Sequence, residues 1–316
     1  MNKFLLILAC FLMTACQQTS ELQSQPIIDM HRHAPLIGSD AMDAVPEQLV
    51  AELDNHNVVL SMVSVTTKSQ AENWARAEPD RFILGAMLPC PRNLGAPFYY
   101  CYSATNGLPD TVWLRQSLQS GEIGALHELM FNYDGSLPSD PKMEPYWSLA
   151  EEFDVPVGTH SWSGPPPGAS IRRDENCCPD YASSSGNPRT LRPVLEKYPK
   201  LRIWLQHVGS DPGESAELWT ETLSLLEDYP NVYVDLSITN SLAPIEAYQA
   251  SLRRLIDAGF EDRIMTGSDN LPIALLLERL DQIEGLSARQ IRLFLYENAA
   301  DFLRLDQRTR QAHYAR

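Results

Sequence analysis

The chain has 316 residues, of which 44% are hydrophobic and 21% charged, and this length and composition suit one large enzyme domain. Its net charge of −16 argues against binding nucleic acid or anionic lipid through surface electrostatics. No G-x-G-x-x-G motif follows the first apolar run and no G-x-x-x-x-G-K-[ST] motif occurs, so a nucleotide site is not expected.

The N-terminal residues are typical of a targeting segment rather than of a part of the folded domain. A short positive start is followed by an apolar run over 4–13 and then by small residues. The sequence Met13-Thr14-Ala15-Cys16 resembles a bacterial lipoprotein signal, which implies removal of residues 1–15 and lipidation of Cys16. We therefore expect an exported protein, anchored by lipid to the bacterial envelope and facing the periplasm, with 16–26 as a flexible tether. Ordinary secretion with cleavage nearby stays open.

Short apolar runs alternate with helical patterns along the rest of the chain. Strands are predicted at 27–33, 58–65, 82–88, 124–130, 156–160, 202–207, 232–237 and 264–269. Helices are predicted near 45–55, 69–78, 109–120, 144–154, 189–198, 214–228, 244–258 and 272–284, with a final helix at about 287–303. Eight βα units predict an α/β fold, a (β/α)8 TIM barrel over 27–303 with extended βα loops at the C-terminal face, followed by a charged tail at 304–316. A doubly wound open sheet shows the same alternation and is the competing interpretation.

Five of these strands end in side chains that can bind a divalent ion. His31 and His33 lie one residue apart at the end of the first strand, where a period of two points both imidazoles to one side. The ends of strands four, five, six and eight carry Glu128, His160, His207 and Asp269. Because every strand of a barrel delivers its C-terminal end to one mouth, the spacing predicts a metal site there.

This ordered set resembles the amidohydrolase superfamily, and in particular its amidohydrolase-related (amidohydrolase 2) branch. The motifs that resemble the family are Ile28-Asp29-Met30-His31-Arg32-His33, Gly158-Thr159-His160, Gln206-His207-Val208-Gly209 and Thr266-Gly267-Ser268-Asp269. The resemblance implies a divalent metal, with zinc expected. It implies that His31, His33 and Asp269 hold a first ion, that His160 and His207 hold a second, and that Glu128 bridges. Family members often have a carbamylated lysine where Glu128 stands, so one or two ions stay open.

Several nearby residues have more than one interpretation. Strand alternation predicts that only one of His127 and Glu128 enters the barrel, and we expect Glu128 there. Asp29 is expected to support a ligand imidazole, with a buried hydrogen-bonded aspartate as the alternative. His56, at the end of the first helix, and His313, in the tail, are expected to be solvated.

These parts predict hydrolysis of an amide, lactone or ester bond. A divalent ion supplies hydroxide near neutral pH and polarises the scissile carbonyl, and Asp269 is expected to take the water's proton and pass it to the leaving group. With one ion, His207 would instead stabilise the oxyanion or move the proton. A metal-dependent decarboxylase of an aromatic or conjugated carboxylic acid is the first alternative. A lipoprotein that binds a ligand without catalysis is the second, and the intact ligand set argues against it.

Substrate selection is expected in the loops that follow strands three and five. The side chains predicted to contact an aromatic or carboxylate-bearing small molecule are Tyr100, Trp162, Arg172 and Arg173, although packing of the loops explains the same residues. Beyond that substrate, a membrane is an expected partner only through the lipid anchor, and a homo-oligomer stays open. The same loops contain Cys90, Cys101, Cys177 and Cys178, which allow disulfides in three pairings in an oxidising compartment.

Overall fold

A computed structural model of the chain describes residues 25–34, 45–88, 108–162, 164, 180–210 and 216–316. Within them, eight parallel strands form one sheet in which every strand is hydrogen-bonded to the next one along the chain. The strands are Ile27–His33 (β1), Val58–Val65 (β2), Phe82–Leu88 (β3), Ala125–Leu129 (β4), Val157–His160 (β5), Ile203–Gln206 (β6), Val232–Asp235 (β7) and Ile264–Met265 (β8).

The first and last strands meet through the residues that follow β8. The Met30 amide donates to Thr266 O at 2.9 Å, and the Asp269 amide donates to His31 O at 2.7 Å. These bonds bring the two edges of the sheet together, so the strands form a nearly closed (β/α)8 barrel, as predicted. The first three strands coincide with their predicted ranges, and the later ones are shorter than predicted.

Helices follow the strands on the outside of the barrel. In chain order they are Glu47–Asn55 (α1), Lys68–Ala77 (α2), Thr111–Ser120 (α3), Phe131–Asp134 (α4), Glu144–Glu152 (α5), Arg192–Lys197 (α6), Ala216–Asp228 (α7), Ile245–Asp257 (α8), Ile273–Asp281 (α9), Ala288–Arg292 (α10), Asn298–Phe302 (α11) and Gln307–Tyr314 (α12). The π-helical segment Leu293–Glu297 joins α10 to α11, and short 3-10 turns lie at Pro141–Met143, Ser183–Gly186, Pro188–Leu191 and Glu261–Arg263.

Polar N-caps fix where two of the early helices begin. The Thr67 side chain accepts from the Gln70 amide at 3.0 Å at the start of α2, and Asp110 accepts from the Trp113 amide at 2.8 Å at the start of α3. Each bond satisfies an amide that has no partner within its own helix. Within the described ranges, every helix is too short or too polar to span a bilayer.

Apolar side chains form one layer on each face of the sheet, because side chains alternate along a strand. On β6, Ile203 and Leu205 belong to the layer under the outer helices, whereas Trp204 belongs to the layer inside the barrel. Arg202, just before β6, donates to Phe302 O, so the helices after β8 close the amino-terminal end of the barrel. The candidate functional site lies at the opposite end of the barrel, where the strands have their carboxyl-terminal ends.

Strand β4 has one extra residue, a β-bulge, within the stretch that pairs with its two neighbours. His127 and Glu128 together lie opposite a single residue of β3, Met87, and a single residue of β5, Gly158. A bulge of this kind lets two consecutive side chains face the same side of a sheet. Both His127 and Glu128 are buried inside the barrel, so the expectation that only one of them enters it is wrong.

The C-terminal residues contain a helix, α12, where a charged tail was predicted. Asp306 caps this helix by accepting from the Thr309 amide at 2.8 Å. His313 is buried, and its Nδ1 lies 2.9 Å from the Tyr296 hydroxyl. The expectation that His313 is solvated is therefore wrong, because α12 packs this ring against the preceding helical segment. His56 follows α1 directly and is half-buried.

Candidate metal centre

Four histidines meet at the carboxyl-terminal mouth of the barrel. His31 and His33 lie at the end of β1, His160 ends β5, and His207 follows β6. The ring centroids are 5.2 Å apart for His31 and His33, 4.7 Å for His31 and His207, and 4.6 Å for His160 and His207. All four side chains are buried. The convergence expected from the strand ends is present.

His207 enters this cluster through its backbone conformation. Gln206 faces the barrel interior, so alternation would point the next side chain outward. The φ of His207 is 62°, in the left-handed region that residues other than glycine rarely adopt, and this turns the imidazole back to the mouth. Its amide donates to Asp235 Oδ1 at 3.1 Å, which stabilises that conformation. Asp269, after β8, has a similar φ of 48°.

Two imidazole nitrogens face two carboxylates in a first group of residues. His33 Nε2 lies 3.0 Å from Asp269 Oδ1 and 3.5 Å from Glu128 Oε2, and His31 Nε2 lies 3.8 and 3.7 Å from the same two oxygens. His31 Nε2 is buried and makes no hydrogen bond with any described residue. A buried nitrogen without a partner is costly, and a divalent ion at this point would satisfy it. The imidazole and carboxylate donors fit zinc and similar ions.

Glu128 faces a second pair of histidines with its other oxygen. Its Oε1 lies 2.6 Å from His160 Nδ1 and 3.1 Å from His207 Nε2. The carboxylate therefore lies between two histidine pairs, with one oxygen toward each. Among the described residues three groups could each hold an ion, and two of them include Glu128: His31 with His33 and Glu128, and Glu128 with His160 and His207. The third group is His31 with His207 and Asp235.

The carboxylates of the cluster are held in the ionised form. Burial by itself raises the pKa of Glu128, but the charge and hydrogen bond of His160, together with hydrogen bonds from His207 and His31, outweigh burial and lower this pKa well below its usual range. Burial also opposes ionisation of Asp269, yet the hydrogen bond with His33 and the charges of nearby imidazoles lower the pKa of this carboxyl as well. Metal ligands must be deprotonated, so both groups are already in the form that binds an ion.

Comparison with known proteins identifies the family. The sequence profile of the family described as Amidohydrolase matches residues 28–305. The chain belongs to this amidohydrolase family. Its sequence matches no curated protein.

Solved structures share the fold of this amidohydrolase at low sequence identity. A probable 2-pyrone-4,6-dicarboxylic acid hydrolase from Acinetobacter baumannii, with citric acid bound, has a TM-score of 0.60 and 16% identity, covering 89% of this chain and 100% of its own. A 5-carboxyvanillate decarboxylase from Novosphingobium aromaticivorans, complexed with manganese and 4-hydroxy-3-methoxy-5-nitrobenzoic acid, has a TM-score of 0.56 and 14% identity, covering 90% and 97%. A dihydroorotase from Campylobacter jejuni has a TM-score of 0.54 and 16% identity, covering 89% and 84%. Structures with names of hydrolases and of decarboxylases thus share this barrel.

Three histidines of the amidohydrolase turn Nε2 toward the two carboxylates of the mouth and have a partner on Nδ1 as well. Ser64 Oγ lies 2.5 Å from His33 Nδ1, Asp235 Oδ2 lies 3.1 Å from His31 Nδ1, and Ser237 Oγ lies 2.9 Å from His207 Nδ1. Sequence reasoning missed these three partners. For Asp235 a signal existed, because it ends β7 as the predicted ligands end their own strands. The serines follow no such pattern.

His127 forms part of the wall behind the first group. Its ring lies 5.1 Å from that of His31 and 5.9 Å from that of His33, and its Nδ1 lies 2.9 Å from Gln206 Nε2. Burial and the charges of His31 and His33 lower the pKa of His127 well below its usual value. His127 is therefore a neutral ring that does not contribute charge to the site.

Asp29 contacts backbone rather than a ligand ring. Its Oδ1 accepts from the amides of His31, at 3.2 Å, and Ser268, at 2.9 Å, while Oδ2 accepts from Ser268 Oγ at 2.6 Å and Arg32 Nε at 3.0 Å. Among the described residues, Asp29 makes no hydrogen bond to an imidazole ring, which is the contact that was expected. Asp29 instead ties the end of β1 to the segment that leads to Asp269.

Trp162 forms an aromatic wall over the second histidine pair. Its ring centroid lies 6.0 Å from that of His160 and 5.7 Å from that of His207, and the side chain is half-buried. It is the one predicted substrate-binding residue within the described ranges. The others lie outside them, as do the predicted lipidation site and the four loop cysteines: Tyr100, Arg172, Arg173, Cys16, Cys90, Cys101, Cys177 and Cys178.

Proposed function

We propose that this amidohydrolase is a metal-dependent hydrolase that cleaves an amide, lactone or ester bond in a small molecule. The observation that supports the proposal most is the position of Glu128, which has one oxygen toward each of two histidine pairs. A carboxylate in that position suits two divalent ions, and two-ion sites commonly serve hydrolytic displacement. Zinc is the ion we propose first, because imidazole and carboxylate ligands suit it.

The proposed ligands follow the two groups of the mouth. His31, His33 and Asp269 would hold one ion, His160 and His207 the other, and Glu128 would bridge. A bound divalent ion lowers the pKa of water from 15.7 to about 7 and polarises a carbonyl oxygen. A single ion remains compatible with the same residues.

Asp269 is the residue we propose as proton acceptor. Its side chain is 20% exposed, whereas those of His31 and Glu128 are 0% and 3% exposed, so Asp269 is the more accessible to an incoming substrate. Its lowered pKa keeps the carboxylate ionised. An ionised carboxylate at this position in the mouth can accept the proton of the attacking water and donate it to the leaving group.

His207 has a further role in the one-ion variant of this proposal. Its Nε2 points into the mouth toward Glu128, and its Nδ1 is held by Ser237. A ring oriented in this way can stabilise negative charge on a substrate oxygen or move a proton. Trp162 lies over the same ring, which supports a substrate contact by Trp162. We propose Tyr100, Arg172 and Arg173 as further substrate contacts from the two neighbouring loops.

Decarboxylation of an aromatic or conjugated carboxylic acid is the second candidate. The group of His31, His33 and Asp269 at the mouth would suffice for one ion. Decarboxylases are among the solved structures that share this barrel, so carboxylic acids belong in any substrate panel.

We also propose that the mature protein is lipid-anchored through Cys16 and faces the periplasm. The support is the signal-like sequence that ends at this cysteine. Changing Cys16→Ser should release the protein from membranes in cell fractionation. A variant that stays with the membranes would contradict the anchor, and wild-type protein that is already free of membranes would favour simple secretion.

The experiment that tests the function is metal analysis of the purified protein, paired with activity assays. We expect at least one equivalent of zinc or a similar ion, and hydrolysis of at least one member of an ester, lactone and amide panel. Asp269→Asn should lower that activity by a factor of about 10² to 10⁴, the usual contribution of a positioned proton acceptor. Asp257→Asn, an exposed carboxylate at the end of α8, is the matched control and should retain activity.

Four results would contradict the hydrolase proposal. Protein that binds no divalent ion, or Asp269→Asn protein with unchanged hydrolysis, would overturn the mechanism. Release of carbon dioxide from carboxylic acids without hydrolysis of the panel would favour the decarboxylase. Binding of metal and ligand without turnover of either panel would favour a non-catalytic protein.

A further inference from the structure

Asp235 and Ser237 lie beside two of the proposed ligand histidines, on the side away from Glu128. Asp235 ends β7 and Ser237 follows two residues later, and both side chains are fully buried. Asp235 Oδ2 lies 3.1 Å from His31 Nδ1, and Ser237 Oγ lies 2.9 Å from His207 Nδ1. The proposed mechanism assigns neither residue a step.

The hydrogen bonds that Asp235 Oδ1 accepts determine where the protons lie among Asp235, Ser237 and the two histidines. This oxygen accepts from the His207 amide at 3.1 Å, from the Ser237 amide at 3.0 Å and from Ser237 Oγ at 2.6 Å. Backbone amides can only donate, so this oxygen is an acceptor and carries no proton. Three donors on one oxygen describe a carboxylate held in a fixed orientation.

Ser237 transmits that orientation to His207. Its single hydroxyl proton is used in the short bond to Asp235 Oδ1, so its oxygen has only lone pairs left for other neighbours. The nearest of these is His207 Nδ1 at 2.9 Å, which must therefore be the donor. With zinc bound the imidazole is neutral and has one proton, so the lone pair of His207 Nε2 would be free for the ion, whereas without zinc this nitrogen lies 3.1 Å from Glu128 Oε1 and needs a proton to bond it.

His31 is fixed by the same carboxylate without an intermediary. Its Nδ1 lies between Asp235 Oδ2, at 3.1 Å, and Ser237 Oγ, at 3.0 Å, and both are acceptors in this arrangement. Gln206 also lies 3.2 Å from this nitrogen, but an amide can present its oxygen or its nitrogen to a ring. The carboxylate is therefore what decides the tautomer of the neutral His31 ring, in which the unpartnered Nε2 has the lone pair.

We propose that Asp235 is a positioning residue that holds both imidazoles with the proton on Nδ1 and the lone pair of Nε2 toward the metal site, directly at His31 and through Ser237 at His207. The inference rests on the proposed metal-dependent function and adds a residue that touches no substrate and no ion. It also explains the backbone of His207, because the same carboxylate binds the amide of that left-handed residue. One buried side chain thus sets ring tautomer and chain direction together.

Long-range proton–nitrogen correlation spectra of 15N-histidine-labelled protein test this proposal, because they distinguish protonated from unprotonated ring nitrogens. Spectra are recorded on zinc-free protein at alkaline pH and on zinc-loaded protein, and zinc affinity is measured against a chelator. The variants are Asp235→Asn and Ser237→Ala. Ser210→Ala is the matched control, since Ser210 Oγ bonds Ser237 O and Thr239 Oγ1 in the same buried segment but has no bond to an imidazole.

In zinc-loaded wild type we expect both His31 and His207 to carry the proton on Nδ1, and in zinc-free protein at alkaline pH we expect the same tautomer for His31. Asp235→Asn should change the tautomer of His31 and weaken zinc binding by about ten- to a hundredfold, as loss of a ligand's supporting carboxylate usually does. Ser237→Ala should change the tautomer of His207 and leave that of His31 unchanged. Ser210→Ala should change the tautomer of neither ring.

Wild-type rings that carry their proton on Nε2 would overturn the proposal, as would Asp235→Asn protein with unchanged tautomers and zinc affinity. If Asp235→Asn does not fold, the wild-type spectra and Ser237→Ala still decide. Wild-type protein with the expected tautomers but without zinc binding would contradict the proposed function while supporting the positioning role. Tight zinc binding by rings with the opposite tautomers would support the proposed function and contradict the positioning role of Asp235.

Discussion

Glu128→Gln is the sharpest perturbation of the site, because it keeps the size of the side chain and removes its charge. In zinc-free protein, Glu128 lies 2.6 Å from His160 Nδ1 and 3.7 Å from His31 Nε2. Burial lowers the pKa of His31, but the charges of Asp235 and Glu128 outweigh burial and raise this pKa well above 6.5. At neutral pH the variant therefore leaves a buried imidazolium without one of the three carboxylates around it. Removing one partner of a buried ion pair costs about 3–5 kcal/mol of unfolding free energy.

The same change should lower the number of zinc ions bound. A glutamine side chain has one oxygen able to bind an ion and a nitrogen that is not a ligand, so it does not bridge two ions as a carboxylate does. If the wild type binds two equivalents of zinc, Glu128→Gln should bind one or none.

Two measurements check this prediction. Urea unfolding of the zinc-free proteins gives the free-energy difference, and elemental analysis after dialysis against zinc gives the stoichiometry. Glu72→Gln, an exposed glutamate on α2, is the control and should change unfolding free energy by no more than about 0.5 kcal/mol. A Glu128→Gln protein with wild-type stability and wild-type zinc content would refute the bridging position and the charge argument together.

Three further predictions test other parts of the structure. Zinc-free protein should lose stability as the pH rises above about 6.5, the pKa of histidine in an unfolded chain. Because folding raises the pKa of His31, its protonated ring stabilises the folded state fully below that pH, and this stabilisation is lost as the pH passes through the folded-state pKa. It should also lose stability as the pH falls below about 4, because the lowered pKa of Glu128 means that its ionised form stabilises the folded state and this stabilisation is lost on protonation. Unfolding free energies at a series of pH values measure both effects, and a stability that does not change with pH would contradict the charge assignment. Gly158→Ala should destabilise the protein by about 1–3 kcal/mol, since the added Cβ would lie 2.4 Å from Trp204 Cζ2; thermal and urea unfolding check this, and wild-type stability would argue against that packing. Once a substrate is known, Trp162→Ala should raise KM more than it lowers kcat, and an equal fall of kcat and kcat/KM would place Trp162 in the chemical step instead.

The barrel could be predicted because its signals are local and repeated. A short apolar run that ends in a ligand-type residue recurs at several strand ends, and the fold requires those ends to meet. His31, His33, His160 and His207 lie together for this reason, although they come from three different strands or their ends. The prediction needed no knowledge of which side chains touch.

Asp235 shows what such signals leave out. It ends a strand, as the predicted ligands do, but one aspartate after an apolar run is common and carries no information on its partner. Its contact with His31 joins β7 to β1, and the 3.1 Å separation depends on the register of the whole sheet. Residues that orient ligands are therefore harder to predict than the ligands themselves, which the family motifs mark.

The orientation of the first-strand histidines depends on an irregularity that the sequence does not mark. Met30 belongs to the apolar layer inside the barrel, and the next residue, His31, also faces inward at the mouth. Strict alternation forbids this, but β1 advances three residues from Asp29 to Arg32 while β2 advances two. The extra residue changes the face of everything that follows it, and the bulge at His127 and Glu128 does the same on β4. A period of two thus predicts how His31 and His33 face relative to each other, whereas the register with the neighbouring strand decides that both face the metal site rather than the outer helices.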